Sequence, residues 1–373
     1  CICLLFLAFS SVDDHGFGIL FGRALAEVLV SIGVIGASFQ STVAVLGTLA
    51  AIAISWVFLR KGATTVRISS IIISIFVVIV AAILLFLLVF RVGIPAIRAA
   101  APLAPSDNLL WNYNVGFEIV LCTCLSWWPY VGSIIRMVPT GKHAVLPCMI
   151  GMGLPTGVIS LIGLYSALVI GNPDPTKWML EVGGIGIGII ALLFLALANI
   201  GTAIVGGYAT GIGLRRIGFI QRNLSWNMTT FLMFVPVAIV GAFIPDLFME
   251  KIPNFMAFLG VAFAPLLGIQ IVDSVLFRRH RLDVYSLYNN TPRSSYYYWM
   301  GVNPAAIVAM IVGFITYVNL LNPITYEVKE LFAYITASVP SIIVSGIAYY
   351  IATSLFVIPA GKGGYPAKAK TAK

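Results

Sequence analysis

PNFMAFLGVAFAPLLGIQIVDSVLFRRHRLDVYSLYNNTPRSSYYYWMGVNPAAIVAMIVG, residues 253–313, settles what kind of protein this is. Its first half predicts an apolar helix over Phe255–Phe277, marked only by Pro265 and Asp273. The basic block Arg278, Arg279, His280 and Arg281 stops that helix abruptly. A Tyr-rich polar linker then passes through Gly301, Asn303 and Pro304 into a second apolar helix. Apolar span, basic stop and new apolar span describe two membrane helices joined on the cytoplasmic side.

The rest of the chain has the same character. Of 373 residues, 60% are hydrophobic and 9% charged, against about a quarter charged in a soluble domain. Mean hydropathy is +1.02. Backbone groups in lipid must be satisfied internally, which leaves helices or closed barrels. The alternating short segments of a barrel are not visible, so the fold class is an all-α polytopic membrane protein. The net charge of +9 sits in short loops between spans, where it orients the chain; no nucleic-acid partner is expected. The cysteines Cys1, Cys3, Cys122, Cys124 and Cys148 lie mostly in apolar runs and read as buried thiols, with no metal site among them.

About ten spans are expected: residues 2–29, 39–59, 66–90, 114–135, 144–170, 183–214, 228–243, 255–277, 302–321 and 331–358. RVGIPAIRAAAPLAPSDN, residues 91–108, reads as a loop by its prolines. The organisation is one transmembrane domain over 1–358 and a solvated basic tail over 359–373. With the loop after the second span placed in the cytoplasm, 16 of the 22 basic residues fall inside and 6 outside. That asymmetry supports the count and predicts a multi-pass plasma-membrane protein with a cytoplasmic C-terminus.

Secondary transporters bind their substrates near the bilayer midplane, where helices are interrupted by Gly or Pro. Two spans carry such interruptions. In the fourth, Trp127 and Trp128 precede Pro129 and Gly132, and the indoles offer stacking faces for a planar heterocycle, or a place in an interfacial belt. In the sixth, Gly206 and Gly207 either allow close helix packing or open room for a flat ligand. Ionisable groups inside spans are functional candidates: Asp13, Asp14 and His15 for proton handling, Glu118 near the outer start of the fourth span and facing an outer aqueous vestibule, and Asp273 as a structural partner of Arg278 or a helix end. Three scattered histidines provide neither a catalytic nucleophile with its base nor a metal cluster, so an enzyme is not expected.

The pattern of residues 258–313 resembles the tenth and eleventh helices of the nucleobase–cation symporters, the family of cytosine, purine, allantoin and hydantoin permeases. SWWPYVGSIIRMVPTGKHAVLP (126–147) is similar to that family's sixth helix and following loop, ALANIGTAIVGGYATGIGL (196–214) to its eighth, and Leu59–Ile73 to its fourth-to-fifth connection. The resemblance implies helices three to twelve of a twelve-helix, inverted-repeat, LeuT-like bundle, with the first two absent from the chain. It places Thr202 and Ala203 where sodium-coupled members carry adjacent hydroxyls, and Tyr208 where they carry a recognition Asn. Asp14 and Gly18 match the third helix's Trp and Gln. The sixth helix's stacking aromatic matches Cys124, with Trp127 or Trp128 on the same face after a one-turn shift.

The expected function is import of a nucleobase or related planar heterocycle, coupled to protons rather than sodium because Ala203 removes a hydroxyl ligand. An amino-acid or polyamine carrier on the same scaffold, a sodium-coupled permease and a uniporter remain alternatives. Candidate substrate residues are Cys124, Trp127, Trp128, Gly206, Gly207, Tyr208, Asp14 and Gly18; candidate coupling residues are Asp13, Asp14, His15, Asn199, Thr202 and Glu118. No cofactor is expected, and the partners are the small-molecule substrate and the bilayer, around a monomer. The polar groups of Thr123, Ser126, Asn199 and Thr202 are expected to lack partners on faces that two further helices would cover, making the chain unstable and inactive alone.

Overall fold

The structure, a computed structural model, describes residues 2–102, 106–135, 138–289 and 291–365. Side chains are described from Gly16 onward in those ranges, apart from positions 17, 63, 65, 69, 129, 133, 134, 142, 152, 287 and 288. Long apolar runs become helices because a helix closes its backbone hydrogen bonds within the segment, as lipid requires. In chain order these are α1 (Ile2–Ser31), α2 (Gln40–Leu59), α3 (Ala63–Leu87), α4 (Ile94–Ala99) and α5 (Leu109–Ile135). Then come α6 (Lys142–Cys148), α7 (Leu154–Ile170), α8 (Pro175–Leu214), α9 (Gly218–Asn223), α10 (Trp226–Phe243) and α11 (Pro245–Glu250). The last are α12 (Ile252–Ile271), α13 (Val284–Tyr288), α14 (Pro304–Leu320), α15 (Phe332–Ile335) and α16 (Ser338–Ala352).

Among the described residues, 8 helical stretches are long and apolar enough to cross a membrane. With α1 and the shorter apolar α14, they coincide with the ten expected spans. Wider π-helical turns occur at Leu88–Gly93, Met149–Gly153, Val272–Phe277 and Thr353–Val357. The first of these corrects the expected loop after residue 90. The helical turn reaches Gly93 (φ 89°, ψ 146°), where the path breaks, and the short helix α4 then runs to Ala99, with Pro95 in its first turn, where a missing N–H costs nothing.

Two further boundaries differ from expectation. Helix α8 begins at Pro175, capped by the Asp174 carboxylate, and kinks at Gly184 (φ 69°, ψ 176°), a conformation open to glycine alone. The Arg91 Nη1 stands 3.1 Å from where a Gly184 Cβ would be and donates to the Val182 carbonyl at 3.1 Å, pinning the kink. The last expected span is broken at Thr336 (φ 60°), which separates α15 from α16.

The chain divides into two compact units: residues 1–105 with 128–250, and residues 106–127 with 251–373. In the first, α1 crosses α2 at two glycines so close that a Cβ on Gly22 would lie 1.9 Å from the Ala44 carbonyl oxygen. Small residues at such crossings let helix backbones touch. Ala24, Val28, Val80, Leu84, Trp178, Leu192 and Ala196 form one core cluster. Ile52, Leu59, Tyr208, Met233, Phe234 and Val237 form another, joining α2, α8 and α10. In the second unit α12, α14 and α16 pack together around Tyr317, Leu320, Phe332 and Tyr349.

Candidate functional site

The first unit gathers the candidates on α8. Gly206, Gly207 and Tyr208 are buried. A Cβ on Gly207 would stand 3.1 Å from Leu59 Cδ2 and from Phe234 Cζ, so this glycine lies against α2 and α10. The Tyr208 ring meets Trp226 edge-on at 5.8 Å, while its hydroxyl has no hydrogen bond among the described residues. Gly18 on α1 faces Ile52 and Thr48 of α2 at 3.5 Å. The Thr202 hydroxyl donates to the Ala198 carbonyl at 3.0 Å. Asn199 differs from all of these: it is 5% exposed and its Nδ2 has no acceptor. A buried amide donor left unpaired costs about 1–3 kcal/mol, the signature of a position awaiting a ligand, water or neighbouring group. The side chains of Asp13, Asp14 and His15 lie outside the described residues.

Helix α5 carries the remaining candidates, and the boundary between the units falls between Trp127 and Trp128. Both indoles are half-buried. Cys124 is exposed and Cys148 half-exposed, which corrects their reading as buried thiols: α5 turns Cys122 inward and Cys124 outward. The unsatisfied polar face is corrected at three of its four residues, Asn199 being the exception. The hydroxyls of Thr123 and Ser126 donate to the Ile119 and Thr123 carbonyls at 2.8 and 2.7 Å. Like Thr202, they close onto their own helix, as Ser and Thr do in apolar surroundings.

Glu118 does not face an aqueous vestibule; it is 1% exposed in the second unit. The break at Thr336 starts α16 directly against its carboxylate. Glu118 Oε2 accepts the Ala337 N–H at 3.2 Å, and both oxygens lie 3.1 Å from the Ser338 nitrogen. The Ser338 hydroxyl donates to Oε1 at 2.6 Å, and the Cys122 thiol donates to the same oxygen at 3.5 Å. Tyr317 Oη lies 3.7 Å from Cys122 Sγ. A helix N-terminus presents free N–H groups and positive potential, so a buried anion is stabilised there by neutral partners.

At the far end of α12, Asp273 meets Arg278 as the sequence led us to expect: Arg278 Nε donates to Oδ2 at 2.6 Å. Sequence reading missed the surrounding tyrosines. Arg278 Nη2 donates to Tyr298 Oη at 2.9 Å, and the guanidinium lies 4.5 and 4.6 Å from the Tyr296 and Tyr365 ring centres. Tyr349 and Tyr365 donate to Asp273 Oδ1 at 2.9 and 2.8 Å. The tail is therefore anchored as far as Tyr365 rather than solvated from residue 359. The run of tyrosines near residue 297 was the available signal.

A cavity of about 310 Å³ with a charged rim was also missed, because its charges lie far apart in the sequence, on α1, at the start of α8 and on α11. Glu27 Oε2 accepts from Gln40 Nε2 and Lys177 Nζ, each at 2.6 Å. Arg23 pairs with Asp246 and, at 3.6 Å, with Asp174.

Comparison with known proteins bears on all of this. Over 215 residues the chain is 25% identical to the purine-uracil permease NCS1 of Arabidopsis thaliana, covering 54% of this chain and 35% of that protein. Over 174 residues it is 31% identical to the hydantoin permease of Microbacterium maritypicum, covering 45% and 34%. The matches thus span about a third of the length of these curated relatives. The solved structure of MHP1, a nucleobase-cation-symport-1 family transporter in a closed conformation with bromovinylhydantoin bound, superposes with a TM-score of 0.63. That match has 18% identity and covers 95% of this chain and 76% of MHP1; it establishes a shared fold. Residues 18–339 match the family described as permease for cytosine/purines, uracil, thiamine, allantoin, and the chain belongs to that family.

Proposed function

We propose that the protein imports a nucleobase or related planar heterocycle, such as a hydantoin, and couples that import to protons. The observation that carries the transport reading is the family match over residues 18–339, supported by relatives named for purines, uracil and hydantoin. On α8, support comes from Asn199, whose orphaned buried amide donor suits the carbonyl of such a ring, and from Tyr208, whose hydroxyl has no hydrogen bond among the described residues. On α5, Trp127 and Trp128 are the candidates for stacking. Proton coupling is favoured by Ala203, which presents no hydroxyl for a sodium ion, and by the carboxylates of α1. The excess of basic residues on one set of loops supports a plasma-membrane orientation with the C-terminus in the cytoplasm.

The test is uptake of radiolabelled bases and hydantoins by the full-length protein in proteoliposomes. An inward proton gradient without sodium should drive accumulation, and an inward sodium gradient at uniform pH should not. Stimulation by sodium alone overturns proton coupling, and no response to either gradient identifies a uniporter. Replacing Trp127 and Trp128 together with Ala should weaken binding by about 1–3 kcal/mol, the size of base–aromatic stacking. Unchanged affinity for every ligand would remove the indoles from the site.

A further inference from the structure

One cavity in the first unit takes no part in the site above. It is a groove of about 770 Å³ walled by Ile54 and Phe58 of α2 and by Ile68, Ile72 and Phe76 of α3, with Leu197 of α8 along its floor. Almost all of the groove is hydrocarbon. The exceptions cluster at one end, where Lys61 and the Thr64 hydroxyl belong to the turn and first residues joining α2 to α3. Lys61 and its neighbours Arg60 and Arg67 are exposed, and Arg60 is laid over the Trp56 ring at 5.4 Å. No carboxylate lines the groove.

Length and charge together select an occupant. From Thr64 to Phe76 the α3 wall rises about 18 Å at 1.5 Å per residue. That is close to one leaflet of a hydrocarbon core about 30 Å thick, with the headgroup edge added. A planar heterocycle would leave most of such a groove empty and would meet few polar partners in it. A fatty acyl chain fits its length and chemistry, and the cations at the mouth complement a phosphate. Basic pockets between membrane helices are a known means of holding anionic headgroups. We propose that this groove is a binding site for an anionic diacyl phospholipid: one acyl chain lies between α2, α3 and α8, and the phosphate rests against Lys61 and the Thr64 hydroxyl.

The experiment is native mass spectrometry of the full-length protein extracted from membranes in mild detergent, with bound lipids identified after release. The expected result is a retained anionic phospholipid that added phosphatidylcholine does not displace. Lys61→Gln should lower its occupancy about fivefold, the effect of one Lys near an anionic surface. Ile72→Trp, which fills the groove without touching the cation, should lower occupancy of anionic and neutral lipids alike. Circular dichroism and gel filtration check that both variants remain folded. Equal retention of neutral and anionic lipids by the unaltered protein, or occupancy unchanged by both variants, would each overturn the proposal.

Discussion

Glu27 and Glu118 are both carboxylates held in a largely apolar chain, and they are stabilised by different means. Glu27 accepts from the side chains of Lys177 and Gln40 at the rim of a polar cavity, and its cationic partner is 42% exposed. Glu118 accepts from two backbone amides, a hydroxyl and a thiol, deep in the second unit. The first arrangement uses charge against charge and is screened by water. The second uses the beginning of a helix, which cannot move away without breaking α16. A membrane protein can therefore satisfy a buried carboxyl group without burying a cation, provided that a helix starts in the right place.

The strongest way to break this contrast is Glu118→Leu. It strands the Ala337 and Ser338 amides and the Ser338 hydroxyl, and stability should fall by about 3 kcal/mol or more, read as thermal unfolding in detergent. Glu118→Gln, which restores an acceptor, should recover part of the loss. A Leu variant as stable as the parent would refute the helix-end account.

Next in size is Arg278→Lys, which keeps the charge but loses the planar contact with Tyr296 and Tyr365; about 1–2 kcal/mol is expected, with earlier proteolysis of the C-terminal tail. Intact tail protection would show that Tyr365 is held by Asp273 alone.

Lys177→Met should cost about 1 kcal/mol at low ionic strength and less as salt rises, whereas the Glu118 effect should ignore salt. Equal salt sensitivity in the two variants would erase the distinction.

The smallest effect is at Asp283, in the connection that follows Arg281. Hydrogen bonds from the Ser286 hydroxyl and backbone N–H hold its carboxyl below the usual carboxylate range. Because the folded value is the depressed one, the cap on α13 contributes fully above the ordinary Asp value and is lost as pH falls through the folded value. The protection factor of the Ser286 amide should fall only in that acidic window; an unchanged protection factor would show that the cap does not depend on ionisation.

The spans were legible because length and hydropathy are local properties, and Asp273 was legible because Arg278 follows only five residues later. The Glu118 partner stands 220 positions away, and only folding brings it close. Exposure of Cys124 against burial of Cys122 depends on the rotation of α5, which its scattered polar residues do not fix. The α8 kink was hidden because Gly184 is one of several glycines in its stretch, and only Arg91 distinguishes it. Asn199 was visible as a polar residue in a span, but the hydrogen bonds satisfying Thr123, Ser126 and Thr202 were needed to show that it alone of the four keeps an unpaired donor.

The π-helical turn at Thr353–Val357 makes chain length a variable there. A π turn is an α-helix holding one residue too many, with the excess absorbed in a widened coil. Removing the exposed Leu355 would tighten that coil to ordinary α geometry and leave Val357, buried beside Tyr349, on its present side. The same deletion in the middle of α16 would turn every later side chain by about 100°, one residue's share of a 3.6-residue turn. Insertions and deletions between homologues should accordingly collect at this seam, where the helix can change its count without changing its face.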